Sequence, residues 1–558
     1  MIRRGRSRPP AGRRRGRVTA AVLGLVAVSV TACSSAPAAT SSSTSQSGSA
    51  LSRGQCHQPG ATQPVAATPV PGVASGWTVT SFDGTPIRAH WFPVDLPGGQ
   101  PAPTVLMGPG WSLPGDTDTT GAGILGAISI KSLRDDGYNV LTWDPRGFGS
   151  SGGSAEVDSP NFEARDVSTL ITWVATQPGV MLDAPGDPRV GMVGGSYGGG
   201  IQFVTAATDC RVDAIVPLIA WHSLVSSLNK ADTVKSGWSG ILSNLTTADH
   251  VDPVVREAKQ SSDETGTITP DQRAWFAARG PAQLMNRVHV PTLIIQGTVD
   301  TLFTLQEGVE NYQILRQDHV PTSMLWFCGG HGACLTPTGD LQLQVTATLA
   351  WLDRYVKQNG SVNVGAGFRF VDQNGASYSA NSYPVSQGPS VTAAGHGTLQ
   401  LVGTGGAGPL PTLPPSSQQL GGIVAPITPA RAANAVDVGF GTGSRSALLI
   451  GAPRLRLTYR GTSPPGPRPT RVFAQLVDQS TGLVLGNQIT PIQVTLDGRS
   501  HTTTVPLEMV VFAGRPGAQL ELQLVATTVA YAQPRLGGSV DFSAIHLSLP
   551  TAATLEPD

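Results

Sequence analysis

Charge is scarce in this sequence. Asp, Glu, Lys and Arg make up 13% of its 558 residues, and the 37 basic residues equal the 37 acidic ones. Beyond the first seventeen residues the arginines are scattered and lysine is rare, so no basic stripe exists for a phosphate backbone to follow. That pattern excludes a nucleic-acid partner. Long hydrophobic runs are lacking too: the apolar stretch Val18 to Val30 is too short for a comfortable membrane span. Cysteine is sparse, with five in all. What the chain does have is length, enough for two or three domains and for a sizeable pocket.

The short apolar run follows Arg3, Arg4, Arg6, Arg8, Arg13, Arg14, Arg15 and Arg17 and ends in Val30-Thr31-Ala32-Cys33. A charged start, an apolar middle and a small-residue end are the layout of a secretory signal peptide, here residues 1–32. Removing eight of 37 basic residues leaves 29 against 37 acids, a net charge of about −8 for the exported chain. The Val-Thr-Ala-Cys ending resembles the bacterial lipobox, and the resemblance implies that Cys33 carries lipid and anchors the protein to the outer face of a membrane. Residues 33–69 are mostly Ser, Ala, Thr, Pro and Gln, which bury too little apolar surface to offset their ordering entropy, so they are expected to form a tether. With Cys33 lipidated, Cys56, Cys210, Cys328 and Cys334 remain, and four cysteines in an exported chain allow two disulfides in three possible pairings.

Strand-like runs at Thr104 to Met107, Tyr138 to Trp143, Arg189 to Val193, Val212 to Ile219, Pro291 to Gln296 and Ser323 to Phe327 alternate with helix-length segments. Examples of the latter are Asn161 to Gln177 and Asp340 to Lys357. Continuous apolar strands separated by helices predict an α/β fold with a mostly parallel sheet covered on both faces, spanning 70–358. The alternation stops over 221–290, where an inserted helical cap is expected. From 359 to 558 the texture becomes Gly, Pro, Thr and Val with period-two patterns, such as Leu455, Leu457 and Tyr459 alternating with Arg454, Arg456 and Thr458. Those are half-buried antiparallel strands of a β-sandwich or jelly roll, with the Pro/Gly-rich stretch 403–433 as a long connection.

Two Gly-x-Ser-x-Gly sequences occur, where chance alone supplies on the order of one, so context must choose between them. The one centred on Ser151 leads from Asp144-Pro-Arg146-Gly-Phe-Gly into more Gly and Ser, and is a loop in which Asp144 and Arg146 fix the backbone. The one centred on Ser196 follows a strand and precedes a helix-forming stretch, as a nucleophile elbow does. A serine hydroxyl needs a histidine to take its proton and a carboxylate to hold that histidine's tautomer. His331 follows the late strand Ser323 to Phe327 and is the general base expected, with His222 and His319 as rivals. Asp300, four residues past the strand Pro291 to Gln296, is the acid expected, and Glu307 is its nearest substitute. Cys328 and Cys334 bracket the histidine and would close a ring around it.

Gly-Gly-Ser196-Tyr-Gly, Gly-x-x-Asp300, Gly-His331, the cap and the C-terminal β half together resemble the family of Xaa-Pro dipeptidyl peptidases and cocaine esterase-type acyl hydrolases. The resemblance covers most of 70–558 and implies acyl transfer from an ester or peptide substrate to the serine, then hydrolysis. It implies no metal and no organic cofactor. In that family the loop after the third strand commonly carries a tyrosine that helps hold the oxyanion; here Leu106 to Asp116 contains none. Backbone N–H groups of Tyr197 and Trp111 are then the oxyanion hole expected, with Trp111 as a pocket-lining residue the alternative. From another class altogether, a catalytically silent surface-binding lipoprotein on a hydrolase scaffold is the competing expectation, and labelling of Ser196 by a fluorophosphonate separates the two.

Overall fold

The structure, a computed structural model, describes residues 65–121, 128–247, 250–411, 421–464 and 466–558, all within the compact unit Ala50–Asp558. The expected signal peptide, Cys33, Cys56 and most of the expected tether lie outside the described residues.

Eleven strands form one sheet: β1 (Ala67–Pro69), β2 (Gly76–Thr80), β3 (Pro86–Phe92), β4 (Thr104–Gly108), β5 (Asn139–Trp143), β6 (Val190–Gly195), β7 (Val212–Leu218), β8 (Thr292–Gly297), β9 (Thr322–Phe327), β10 (Phe368–Val371) and β11 (Ser377–Ala380). Their order is β1-β2-β3-β5-β4-β6-β7-β8-β9-β10-β11. The run from β5 to β10 is parallel, and the pairs at both edges are antiparallel. Every residue of β4, β5 and β9 is buried, which is why these strands read as unbroken apolar runs. Helices α1 (Ile130–Asp135), α2 (Glu163–Val174) and α3 (Tyr197–Thr208) follow strands in the manner of parallel crossovers. The α/β sheet is thus as expected, but its limits are wider. β1 begins before residue 70, and β10 and β11 extend the sheet to Ala380, beyond the expected boundary at 358. Phe368 and Phe370 pack on Trp326 of β9, ring centroids 4.8 and 6.5 Å away, so these strands complete the hydrolase core.

The insertion after β7 is helical: α4 (Leu224–Leu228), α5 (Ser236–Asn244), α6 (Pro253–Thr265) and α7 (Pro270–Ala277). Local chemistry sets its boundaries. Asp252 caps α6 by accepting from Val254 N, Pro253 occupies the first turn, and Gly266 ends the helix at φ 77°. Thr269 and Gln272 form a capping box on α7. Two further helices, α8 (Leu305–Gln317) and α9 (Leu343–Tyr355), return the chain to the sheet.

The C-terminal half contains two four-stranded antiparallel sheets. One is built from β12 (Val391–Gln400), β14 (Arg454–Thr462), β17 (Ser500–Pro506) and β19 (Ser539–Leu549), in the order β12-β19-β14-β17. The other contains β13 (Ala435–Gly441), β15 (Arg468–Asp478), β16 (Val484–Leu496) and β18 (Gln519–Val525), in the order β13-β18-β15-β16. Leu455, Leu457 and Tyr459 enter a core with Leu520, Leu522 and Leu524, while Arg454 and Arg456 face out, so the period-two reading holds. The stretch 403–433 is more than a connection. Val424 and Ile427 are buried with Trp221 and Trp238 of the cap, because an apolar pair in an otherwise polar segment gains by covering apolar cap surface.

Candidate active site

Ser196 sits between β6 and α3 at φ 58° and ψ −117°, a conformation costly for any residue with a β-carbon. The turn closes only because its neighbours are glycines. A β-carbon on Gly198 would lie 2.1 Å from Gly108 O, and one on Gly194, at φ 150°, 2.6 Å from the same oxygen. Ser196 N donates to Leu218 O at 3.0 Å, tying the elbow to β7. Ser151 is engaged differently: it donates to Asp144 O at 2.6 Å and accepts from Arg88 N at 2.8 Å, as a loop brace would. Asp144 and Arg146 have the same character, Asp144 accepting from Gly115 N and Ser150 N, and Arg146 forked onto Asp166 at 2.7 Å through two nitrogens.

The sequence separates Ser196, Asp300 and His331 by up to 135 positions, and the sheet brings them together. His331 Nε2 lies 2.8 Å from Ser196 Oγ, and its Nδ1 lies 2.7 Å from Asp300 Oδ2. The other oxygen, Oδ1, accepts from Leu302 N at 3.0 Å and Phe303 N at 2.8 Å, so the carboxylate is oriented as well as buried. The imidazole is wedged edge-on between Trp238 of the cap, 5.7 Å away, and Phe303, 5.1 Å away. Cys328 and Cys334 are disulfide-bonded, closing the ring around His331 with their α-carbons 5.6 Å apart. Cys210 is also disulfide-bonded.

The rivals are occupied elsewhere. His222 Nδ1 is 2.8 Å from Asn311 Oδ1, and His319 is an exposed turn residue at φ 58°. Glu307 in α8 accepts from His222 N, Ser223 N and Ser226 Oγ, all within 2.9 Å, and so fastens the start of the cap. Burial raises its carboxyl above the usual range, while those donors pull it back down.

Tyr197 opens α3, so its backbone N–H is at a helix N-terminus beside Ser196, and its hydroxyl donates to Glu163 Oε1 at 3.1 Å. Burial lifts Glu163 to about 7 against the backbone donors that favour its charge. Trp111, in the loop after β4, lines the cavity with its ring, stacks edge-on against Tyr197 and Phe148, and donates its indole N–H to Leu242 O at 3.2 Å. The cavity that opens on Ser196 is apolar, walled by Trp111, Trp221, Leu224, Leu242, Phe276 and Phe303, with about 120 Å³ of free volume. Its described lining has no carboxylate and one charged side chain, Lys259, which already pairs with Asp263.

Several residues that shape this site gave no sequence signal. Lys235 is buried at the start of α5 and donates to Thr301 O at 2.9 Å and Leu302 O at 2.8 Å, clamping the loop that carries Asp300; burial lowers its ammonium to about 8. Trp238 donates to Thr301 Oγ1 at 3.0 Å. Both belong to a segment whose polar composition suggested only a cap.

An elbow serine, an acid and a histidine at the carboxyl ends of three strands of one parallel sheet, beneath an inserted cap, define the α/β-hydrolase class. Residues 83–333 match the model of a family described as X-Pro dipeptidyl-peptidase (S15 family). Among solved structures, an α-amino acid ester hydrolase superposes with a TM-score of 0.65 at 13% identity, over 86% of this chain and 98% of that one. A CocE/NonD family hydrolase from Staphylococcus aureus gives 0.60 at 13% identity, over 85% and 92%. At that identity the likeness is one of fold, and it extends through the β half. A polyketide transferase from a Penicillium species, grgF, is 31% identical over 144 residues, which is 25% of this chain and 44% of that one. The chain spans less than half the length of the curated relatives it matches.

Proposed function

We propose that the protein is a serine hydrolase that cleaves esters with an uncharged, apolar acyl group. In this reading Ser196 is the nucleophile, His331 the general base and Asp300 the residue that orients it. His331 takes the hydroxyl proton as Oγ attacks the acyl carbon, and returns it to the leaving alkoxide. Water then repeats the cycle on the acyl-enzyme. The backbone N–H groups of Tyr197 and Trp111 are read as the oxyanion hole.

The observation that carries the substrate class is the wall of the cavity: mostly apolar, with Asn229 and a few serines as its neutral polar groups, Lys259 as its one charge and no carboxylate among the described lining residues. An N-terminal dipeptide or an α-amino ester brings an ammonium group, and burying it unpaired costs several kcal/mol. An acyl chain without that charge meets no such cost. Ratios of kcat/KM for p-nitrophenyl acyl esters against Xaa-Pro-p-nitroanilides test this. Esters are expected to be preferred by about 100-fold or more, with Ser196→Ala abolishing both activities. Preference for the anilides would overturn the ester reading and favour a peptidase.

The export reading is part of the same proposal: the protein is carried out of the cell and held at the membrane surface by lipid on Cys33. Its support is the arginine-rich start, the apolar run and the Val-Thr-Ala-Cys33 ending.

A further inference from the structure

The two loops that carry the acid and the base are joined to each other by the Asp300–His331 pair and by Thr301 Oγ1, which donates to His331 O at 3.3 Å. The first, after β8, runs from Gly297 to Thr304, and the second, after β9, from Cys328 to Cys334. They meet backbone to backbone: a β-carbon on Gly332 would fall 1.8 Å from Val299 O, and one on Gly297 2.1 Å from Gly329 O. At these two points no side chain separates the loops.

A further tie comes from the β half. At the start of β16, Gly486 and Asn487 both have positive φ, 61° and 57°. Asparagine tolerates that region better than most residues, and glycine tolerates it freely. Neighbouring side chains of an extended strand point to opposite faces. With the strand kinked by two left-handed residues, Asn487 and Gln488 instead both reach the hydrolase half. Gln488 Nε2 donates to Asp300 O at 2.8 Å, and Asn487 Nδ2 donates to Ala333 O at 2.8 Å. Both side chains are buried. One amide therefore grips the backbone of the acid itself, and its neighbour grips the histidine loop two residues past the base. The far end of the acid loop is tied to the same half, where Thr304 Oγ1 donates to Glu508 Oε2 at 2.9 Å.

We propose that Asn487 and Gln488 are positioning residues, a pair of adjacent amides by which the β-sandwich sets the Asp300–His331 distance and so tunes the reaction at Ser196. The proposal rests on the triad reading above. It gives the C-terminal half a catalytic duty distinct from binding substrate, since neither residue lines the cavity at Ser196.

The test uses the full chain. Asn487→Gly keeps the left-handed backbone and removes only the amide; Gln488→Met keeps the side chain's length and removes only the donor. Leu457→Ala, in the sandwich core and away from both loops, serves as a variant that weakens the β half without touching the bridge. For each, kcat and KM on a p-nitrophenyl ester, the rate of fluorophosphonate labelling at Ser196 and the melting temperature are measured. Asn487→Gly and Gln488→Met are expected to lower kcat and the labelling rate by about 10- to 100-fold with KM nearly unchanged, because a misplacement of about 1 Å in a catalytic group has effects of that order. Leu457→Ala is expected to lower the melting temperature and leave kcat at the wild-type value below it. If either amide variant folds and keeps wild-type kcat and labelling rate, or if Leu457→Ala lowers kcat as much as they do, the positioning role is overturned and the triad reading stands. If the wild-type chain is not labelled at Ser196, the triad reading itself falls, and this proposal with it.

Discussion

Asp158 shows how much a single buried acid can reveal. It is fully buried at φ 52°, no described protein group hydrogen-bonds either carboxyl oxygen, and one oxygen points at α3, where a β-carbon on Gly200 would approach it to 2.5 Å. Burial first, and then the nearby charge of Glu163, raises its carboxyl well above the usual range. The folded state therefore keeps a proton that the unfolded chain releases above about 3.8. Stability linked to this group is fully present below that value and is lost as pH rises toward the folded-state pKa. Asp158→Asn keeps the shape, tolerates the left-handed backbone and removes the ionisation. Its melting temperature relative to wild type is expected to rise as pH rises above about 4. A difference independent of pH would mean that Asp158 is ionised in the folded protein. At this scale the meeting of Ser196, Asp300 and His331 was legible because each follows a strand in the required chain order. Asn487 and Gln488 were not, since nothing about two amides in a β-rich segment says which carbonyl they will face.

At the scale of elements, the cap hangs on Glu307. Its three acceptor contacts hold His222, Ser223 and Ser226 at the entrance to α4, whose residue Leu224 walls the cavity. Glu307→Ala leaves two half-buried backbone N–H groups unpaired, at about 1 kcal/mol each. The expected results are a raised KM for apolar esters, faster proteolytic cleavage within 221–290 and a kcat within about tenfold of wild type. A fall in kcat of about 10⁴ at unchanged KM would instead assign Glu307 the role read for Asp300. Strands β4 to β9 were legible from unbroken apolar runs. β10 and β11 were placed in the wrong half, because Phe368-Arg369-Phe370 alternates as a sandwich strand does, and alternation does not say which sheet a strand joins. The segment 403–433 was read as a connection from its Pro and Gly content, which conceals that Val424 and Ile427 reach the cap.

For the whole molecule, no described helix is long and apolar enough to cross a membrane, and the proposed attachment rests on the residues around Cys33 alone. Lipid chains partition at about 0.8 kcal/mol per buried CH₂, so losing them should release the protein. In detergent phase separation the wild-type protein is expected in the detergent phase and Cys33→Ser in the aqueous phase, with equal esterase activity. Identical partitioning of the two would remove the anchor. The sequence by itself determined the α/β sheet, the inserted cap, the antiparallel half and the elbow at Ser196, because each depends on local periodicity or on the few residues around a turn. The tertiary structure alone decided which surface walls the cavity, how Glu307 and Lys235 divide the work of holding the cap and the acid loop, and that a β-sandwich turn more than 150 residues away reaches Asp300 and Ala333. Those outcomes depend on which backbone carbonyls remain unpaired once the two halves pack together, and no local pattern carries that information.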